Sequence, residues 1–128
     1  MLKTLAVSLL LLLPGAGALQ AQEPDVPVMV GGESEFPACG STGKVTGLDP
    51  NGDNFLAVRS GPSSRYEQLD EIHTGDIVFL CDEQGPWLGI VYPDGQCGVM
   101  DVIEDRQPYG GDCKSGWVFG KYIRPYAG

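Results

Sequence analysis

The chain is short of basic residues. Its 128 residues include eight Lys and Arg against 17 Asp and Glu, which gives a formal net charge of −9 at pH 7. A surface of this charge repels nucleic-acid phosphates and anionic lipid head groups. No cluster of Lys or Arg with interleaved aromatic residues occurs to offset that repulsion. The composition therefore argues against a nucleic-acid partner, whereas a neutral, zwitterionic or cationic partner is allowed.

Motifs for catalysis are also missing. His73 is the only histidine, and the sequence contains no Gly-x-Ser-x-Gly elbow, no His-Glu-x-x-His pair and no phosphate-binding glycine loop. The acidic pairs Asp70-Glu71 and Glu104-Asp105 are adjacent in sequence, so on a strand their side chains point to opposite faces. We therefore expect a protein that is not an enzyme and that uses no cofactor.

Long apolar runs are confined to the amino terminus. The run from Leu5 to Leu13 follows Lys3 and precedes small residues up to Ala18, which is the pattern of a secretory signal peptide. The run is well short of the roughly 20 residues that cross a bilayer. Residues 1–21 are therefore predicted to be a signal peptide, cleaved after Ala18 or Ala21. The mature protein is expected in the periplasm or outside the cell, without membrane insertion.

Cysteines are few but even in number, at Cys39, Cys81, Cys97 and Cys113. An even count in a short exported chain predicts disulfides, and the lack of a Cys-x-x-Cys pair argues against zinc. Three pairings are formally possible. Cys97 and Cys113 bracket a segment rich in Gly, Asp and Pro, so a local bridge there is the economical arrangement and leaves Cys39 to pair with Cys81. Closing a loop of about 15 residues removes roughly 3 kcal/mol of chain entropy from the unfolded state.

The mature chain divides near residue 40. Residues 22–40 carry Pro and Gly at low hydrophobic density without a period of 2 or 3.6, which predicts a flexible, disordered tether. From residue 41 to 128, short apolar stretches alternate with turn signals, as in a small all-β barrel. The expected strands are Lys44 to Leu48, Phe55 to Arg59, Tyr66 to Ile72, Ile77 to Cys81, Trp87 to Tyr92 and Gly116 to Phe119.

Five segments of this region follow one another in a characteristic order. They are Val58 to Pro62, Thr74 to Asp76, Ile77 to Cys81, Gly85 to Val91 and Gly116 to Ile123. In this order they resemble the bacterial SH3-type (SH3b) domain over roughly residues 44 to 124. The resemblance implies a five-stranded SH3-like barrel that binds peptide or cell-wall ligands outside the cytoplasm. The chain departs from the family pattern in an insertion at about residues 93–115, which the two last cysteines are expected to staple.

The aromatic residues are the candidates for a ligand site. Tyr66, Trp87, Tyr92 and Tyr122 match positions that either fill the core of SH3-type barrels or line their peptide groove, and Tyr109 lies in the insertion. Tyr and Trp suit a groove because they supply large contact areas at low entropic cost. Spacing alone does not separate core positions from groove positions. We expect these five residues to contribute to a groove, and Trp117 to be structural.

One acidic turn partly matches a calcium loop. Asp49, Asn51 and Asp53 occupy positions 1, 3 and 5 of such a loop, but Asn54 stands where glycine is required and Ser60 where the bidentate glutamate belongs. A turn held by Asx hydrogen bonds accounts for the same residues. No metal site is therefore predicted, and this turn is the nearest approach to one.

Together these features predict an exported, non-catalytic binding module. The resemblance implies that it recognises a peptide, such as a stem or bridge peptide of peptidoglycan. The alternative is a protein-directed inhibitor or accessory subunit that uses the loop at 93–115 as its contact surface.

Overall fold

The computed structural model describes residues 23–127, so the predicted signal peptide lies outside the described residues. The described part is all-β, as expected, and none of its helices is long and apolar enough to cross a membrane. Apart from one 3-10 turn at Gly120–Tyr122, its elements are nine strands. They are β1 (Met29–Val30), β2 (Ser41–Val45), β3 (Leu56–Arg59), β4 (Gln68–Ile72), β5 (Ile77–Gln84), β6 (Trp87–Tyr92), β7 (Gln107–Pro108), β8 (Lys114–Phe119) and β9 (Ile123–Ala127).

Seven strands form one antiparallel sheet in the order β4-β3-β8-β6-β5-β2-β9, while β1 pairs with β7. Its centre is the hairpin of β5 and β6, which turns through Gly85 and Pro86. Gly85 has a φ of +56°, the conformation that tight two-residue hairpin turns require at their first central position. In the register of β6 on β8, Trp87 lies opposite Phe119 and Gly89 opposite Trp117.

The sheet differs from the predicted five-stranded barrel in two ways. It has seven strands, because β9, which follows the 3-10 turn and pairs with β2, joins the six strands expected from the sequence. It is also open, since β4 and β9 at its two ends do not pair with each other. The first strand, expected at Lys44 to Leu48, is found at Ser41–Val45 because the chain turns at Gly47, which has a φ of +77°.

One apolar core lies against the inner face of the curled sheet. It takes side chains from both halves of the sheet, so the strands bend around it although they do not close. Its buried members are Val45, Leu56, Val58, Ile72, Val78, Ile90, Tyr92 and Val118.

A second core covers the outer face. Phe79 and Val91 point away from the first core, because successive residues of a strand face opposite sides. They are packed under Val30 and Val99, which come from the amino-terminal segment and from the insertion. This two-sided burial explains why the central strands read as continuous apolar runs.

Residues 23–40, which we call the arm, are not a flexible tether, so that prediction is wrong for the described residues. Val28 and Val30 are each only 1% exposed, and the Trp117 indole donates a 2.8 Å hydrogen bond to the Val26 carbonyl. The alternation of Val26, Val28 and Val30 is the only strand signal in the arm. The intervening residues Pro27 and Met29 obscured it.

Both favoured disulfide pairings are confirmed: Cys39 with Cys81, and Cys97 with Cys113. The first bond ties the arm to β5, and the second closes the insertion. Asp82 adds a further link, since its carboxylate accepts hydrogen bonds from the Met29 backbone at 3.1 Å and from Arg106 at 3.0 Å.

The buried arm leads to a stability prediction. Val30→Ala removes apolar volume from the second core and should lower the free energy of unfolding by about 2 kcal/mol, the sum of lost transfer energy and a residual cavity. The measurement is urea unfolding of the disulfide-intact protein. Val102→Ala is the matched control, because Val102 is 47% exposed, and it should change stability by less than about 0.5 kcal/mol. Equal, near-zero effects of both variants would contradict a packed arm.

Candidate functional site

A groove of about 750 Å³ opens on the surface where β3, the start of β6 and the 3-10 turn meet the loop between β2 and β3. We call it the aromatic groove. Its volume lies within the roughly 300–1,000 Å³ typical of small-ligand sites. The residues that line it are Leu48, Asp49, Gly52, Asp53, Phe55, Leu56, Ala57, Arg59, Ser63, Ser64, Gln68, Trp87, Phe119 and Tyr122.

Three aromatic rings form one wall of this groove. The ring centroids of Trp87 and Phe119 are 5.5 Å apart at an interplanar angle of 56°, and those of Phe119 and Tyr122 are 6.3 Å apart at 59°. These tilted arrangements are the favourable ones for aromatic pairs. All three side chains are half-buried, so each one is held by its neighbours while part of it remains open to a ligand.

The backbone explains why the rings converge. Trp87 opens β6 directly after the Gly85-Pro86 turn, and its cross-strand partner is Phe119 at the end of β8. The Gly120 N–H then donates a 2.8 Å hydrogen bond to the Pro86 carbonyl. A Cβ at Gly120 would lie only 2.9 Å from that carbonyl oxygen, so glycine permits the close approach that brings Tyr122 beside Phe119.

Charged groups of both signs also line the groove. Asp49 and Asp53 come from the loop between β2 and β3, and Arg59 comes from the end of β3. The Arg59 guanidinium is anchored by a 3.1 Å hydrogen bond to the Tyr66 carbonyl. The groove can therefore contact an apolar group, a cationic group and an anionic group of one ligand.

The acidic turn is held by its own hydrogen bonds. One carboxylate oxygen of Asp49 accepts the Asn51 N–H at 2.8 Å, and the Gly52 N–H donates to the Asp49 carbonyl at 3.1 Å. This is the Asx turn expected for Asp49 and Asn51. Within residues 23–127, no group of three or more His, Cys, Asp or Glu side chains is arranged to hold a metal ion.

Two of the five predicted aromatic residues, Trp87 and Tyr122, line the groove. Tyr66 lies beside it without lining it: its carbonyl anchors Arg59, and its ring covers Gly61, where a Cβ would fall 2.6 Å from ring carbons. Phe119 was missed, because only the β6–β8 register reveals that it lies opposite Trp87. Leu48, Phe55 and Arg59 were also missed, and the sequence carries no signal that assigns them to one cavity.

Tyr92 and Tyr109 are placed elsewhere, which corrects their assignment to the groove. Tyr92 is 6% exposed in the first core, and its hydroxyl donates a 3.0 Å hydrogen bond to Asp70. Tyr109 spans the insertion: its hydroxyl donates to the Cys97 carbonyl at 2.9 Å and accepts the Cys113 N–H at 3.1 Å. Both hydroxyls have internal partners that aromatic spacing could not reveal. Trp117, expected to be structural, is fully buried.

Asp70 and Tyr92 form a polar link with Lys114, whose ammonium lies 3.2 Å from the Asp70 carboxylate. Burial raises the pKa of Asp70, but hydrogen bonds from the Glu71 N–H, Lys114 and Tyr92 and the positive charge of Lys114 outweigh it, so this pKa lies below its ordinary value. Burial, followed by the charge and hydrogen bond of Asp70, raises the pKa of Tyr92. The tyrosine thus stays neutral and the aspartate ionised at physiological pH.

Comparison of the chain with protein-family models, curated proteins and solved structures found no match. The resemblance to bacterial SH3-type domains therefore stays a prediction.

The Asp70 link predicts a pH dependence. Because the folded state favours the carboxylate, Asp70 stabilises the fold above the ordinary aspartate pKa of about 3.9, and this contribution is lost as the pH falls through the lowered value. Asp70→Asn keeps the side-chain shape and an acceptor for Tyr92. We expect its free energy of unfolding to fall less steeply than that of the wild type between about pH 5 and 3. If the free energy of unfolding falls equally with pH in both proteins, the role of the Asp70 carboxylate is contradicted. The control is Glu83→Gln, which changes a carboxylate at the exposed end of a strand.

Proposed function

We propose that this protein is an exported, non-catalytic binding module that holds a short peptide in the aromatic groove, and that the ligand is a peptide of peptidoglycan. One observation carries the proposal: three partly open rings, Trp87, Phe119 and Tyr122, converge along one groove. Half-buried Trp and Tyr side chains offer large contact areas that lose little conformational freedom on binding.

The charges in the groove support a peptide over a sugar or a lipid. Asp49 and Asp53 suit an ammonium group, and Arg59 suits a carboxylate, which it can bind through two parallel hydrogen bonds. Short peptides with free termini carry both groups, as do the stem peptides of peptidoglycan. The net charge of −9 and the two aspartates would repel an anionic lipid.

The expected location is compatible with this ligand. Two disulfides favour an oxidising compartment, and the amino-terminal sequence predicts export. An exported protein of a bacterium shares its compartment with the cell wall. The resemblance to the SH3-type family supports the same class of ligand.

The test is co-sedimentation of the purified protein with isolated peptidoglycan sacculi. The wild type should sediment with the sacculi, whereas Trp87→Ala and Tyr122→Ala should each weaken binding by about tenfold, equivalent to about 1.4 kcal/mol. Tyr126→Ala is the matched control, since Tyr126 is 59% exposed on β9 and does not line the groove. Urea unfolding of each variant confirms that it is folded. A wild type that stays in the supernatant would refute the proposal, as would equal loss of binding in the Tyr126 variant.

A further inference from the structure

A second surface combines exposed apolar side chains from two distant parts of the sequence. Phe36 in the arm is 61% exposed, and Met100 and Val102 in the insertion are 59% and 47% exposed. Single exposed apolar residues are ordinary on protein surfaces. A group of them in one place indicates an interaction site.

Backbone hydrogen bonds hold the two segments that carry these residues side by side. The Ala38 N–H donates to the Asp101 carbonyl at 2.8 Å, and Asp101 is the residue between Met100 and Val102. Phe36 lies two residues before Ala38. Further bonds run along the same two segments, from Cys39 N–H to the Val99 carbonyl at 2.9 Å and from Gly32 N–H to the Ile103 carbonyl at 2.9 Å.

The outward direction of these side chains follows from the inward direction of their neighbours. Val99 is fully buried in the second core, and Ile103 packs against the same core. Met100 and Val102 lie between these two anchors and face solvent. The fold therefore does not need them for its own packing.

The surroundings of the three apolar residues are acidic. Residues 31–39 and 99–105 carry five carboxylates and neither Lys nor Arg. Arg106 follows directly, but its guanidinium is engaged 3.0 Å from Asp82. The five acidic residues, all exposed, are Glu33, Glu35, Asp101, Glu104 and Asp105.

Covalent bonds hold both segments in place. Cys39 follows Ala38 and is bonded to Cys81, while Cys97 lies two residues before Val99 and is bonded to Cys113. A surface fixed in this way loses little conformational entropy when a partner binds, which favours affinity.

We propose that Phe36, Met100 and Val102, with the five carboxylates around them, form a docking surface for a basic segment of a partner protein in which apolar residues alternate with Lys or Arg. Charge complementarity selects this occupant. A second copy of this chain would bring two sets of five carboxylates together, and an anionic lipid surface would be repelled in the same way. The docking surface is independent of the aromatic groove, because it shares no residue with it.

The test uses a labelled peptide with blocked termini in which three Leu are each flanked by Lys, and it follows binding by fluorescence anisotropy. The wild type should bind this peptide saturably. The variant Phe36→Ser/Met100→Ser/Val102→Thr should bind at least about tenfold more weakly. The exposed-residue control Tyr126→Ser and the groove variant Trp87→Ala should bind like the wild type.

Charge is tested with a second pair of variants. Glu33→Gln/Glu35→Gln/Asp101→Asn should also weaken binding, and should make it less dependent on salt. Glu23→Gln/Glu83→Gln/Asp94→Asn removes the same charge outside the two segments and should have a smaller effect. A peptide with Ser in place of Leu, at equal charge, should bind more weakly than the Leu peptide to the wild type.

Four outcomes would overturn the proposal. They are no saturable binding by the wild type, unchanged binding by the apolar triple variant, equal binding of the Ser and Leu peptides, and equal effects of the two charge variants. Sedimentation equilibrium adds a fifth: a wild-type dimer that the apolar triple variant abolishes would assign the surface to self-association. Failure of peptidoglycan co-sedimentation alone would leave the docking surface unaffected, since Trp87→Ala separates the two sites.

Discussion

The structure depends on the covering of the outer face of its central strands. A single curled sheet of this size buries one face easily, but Phe79, Val91 and Trp117 point to the other side, away from the first core. The arm and the insertion cover that side. The contact that fixes the arm is the hydrogen bond from the Trp117 indole to the Val26 carbonyl, which satisfies a polar group that would otherwise be buried without a partner.

The aromatic groove lies on the same outer face, beyond the part that the arm covers. Trp117 and Phe119 are two residues apart on β8 and so share the outer face. Val28 of the arm packs near Gly89, the cross-strand partner of Trp117. One step further along the strands, Trp87 and Phe119 line the groove instead. A buried structural tryptophan and a partly open one thus follow from the same sheet surface.

Much of the fold could be predicted from the sequence, because its signals are local. Alternating apolar residues placed β3, apolar runs placed β5 and β6, and the Gly, Asp and Pro between Cys97 and Cys113 indicated the pairing of the cysteines. The arm could not be predicted in this way, since its Val26 carbonyl meets an indole 91 residues away. Strand β9 was missed because Pro125 interrupts its pattern and its partner β2 lies far back in the chain. For the site, Trp87 and Tyr122 were predicted because they match groove or core positions of SH3-type barrels. Tyr92 matches such a position as well and is buried, because only the register of the sheet decides which face a side chain occupies.

A two-dimensional 15N NMR spectrum of the two tryptophan indole groups, recorded during titration with solubilised peptidoglycan fragments, tests both the covered face and the groove most directly. The protein has two Trp residues, so no substitution is needed to observe each one. We expect the Trp117 indole proton to exchange slowly with water and keep its chemical shift, while the Trp87 signal shifts saturably. Rapid exchange at Trp117, or a Trp87 signal that does not respond to the fragments, would contradict this expectation.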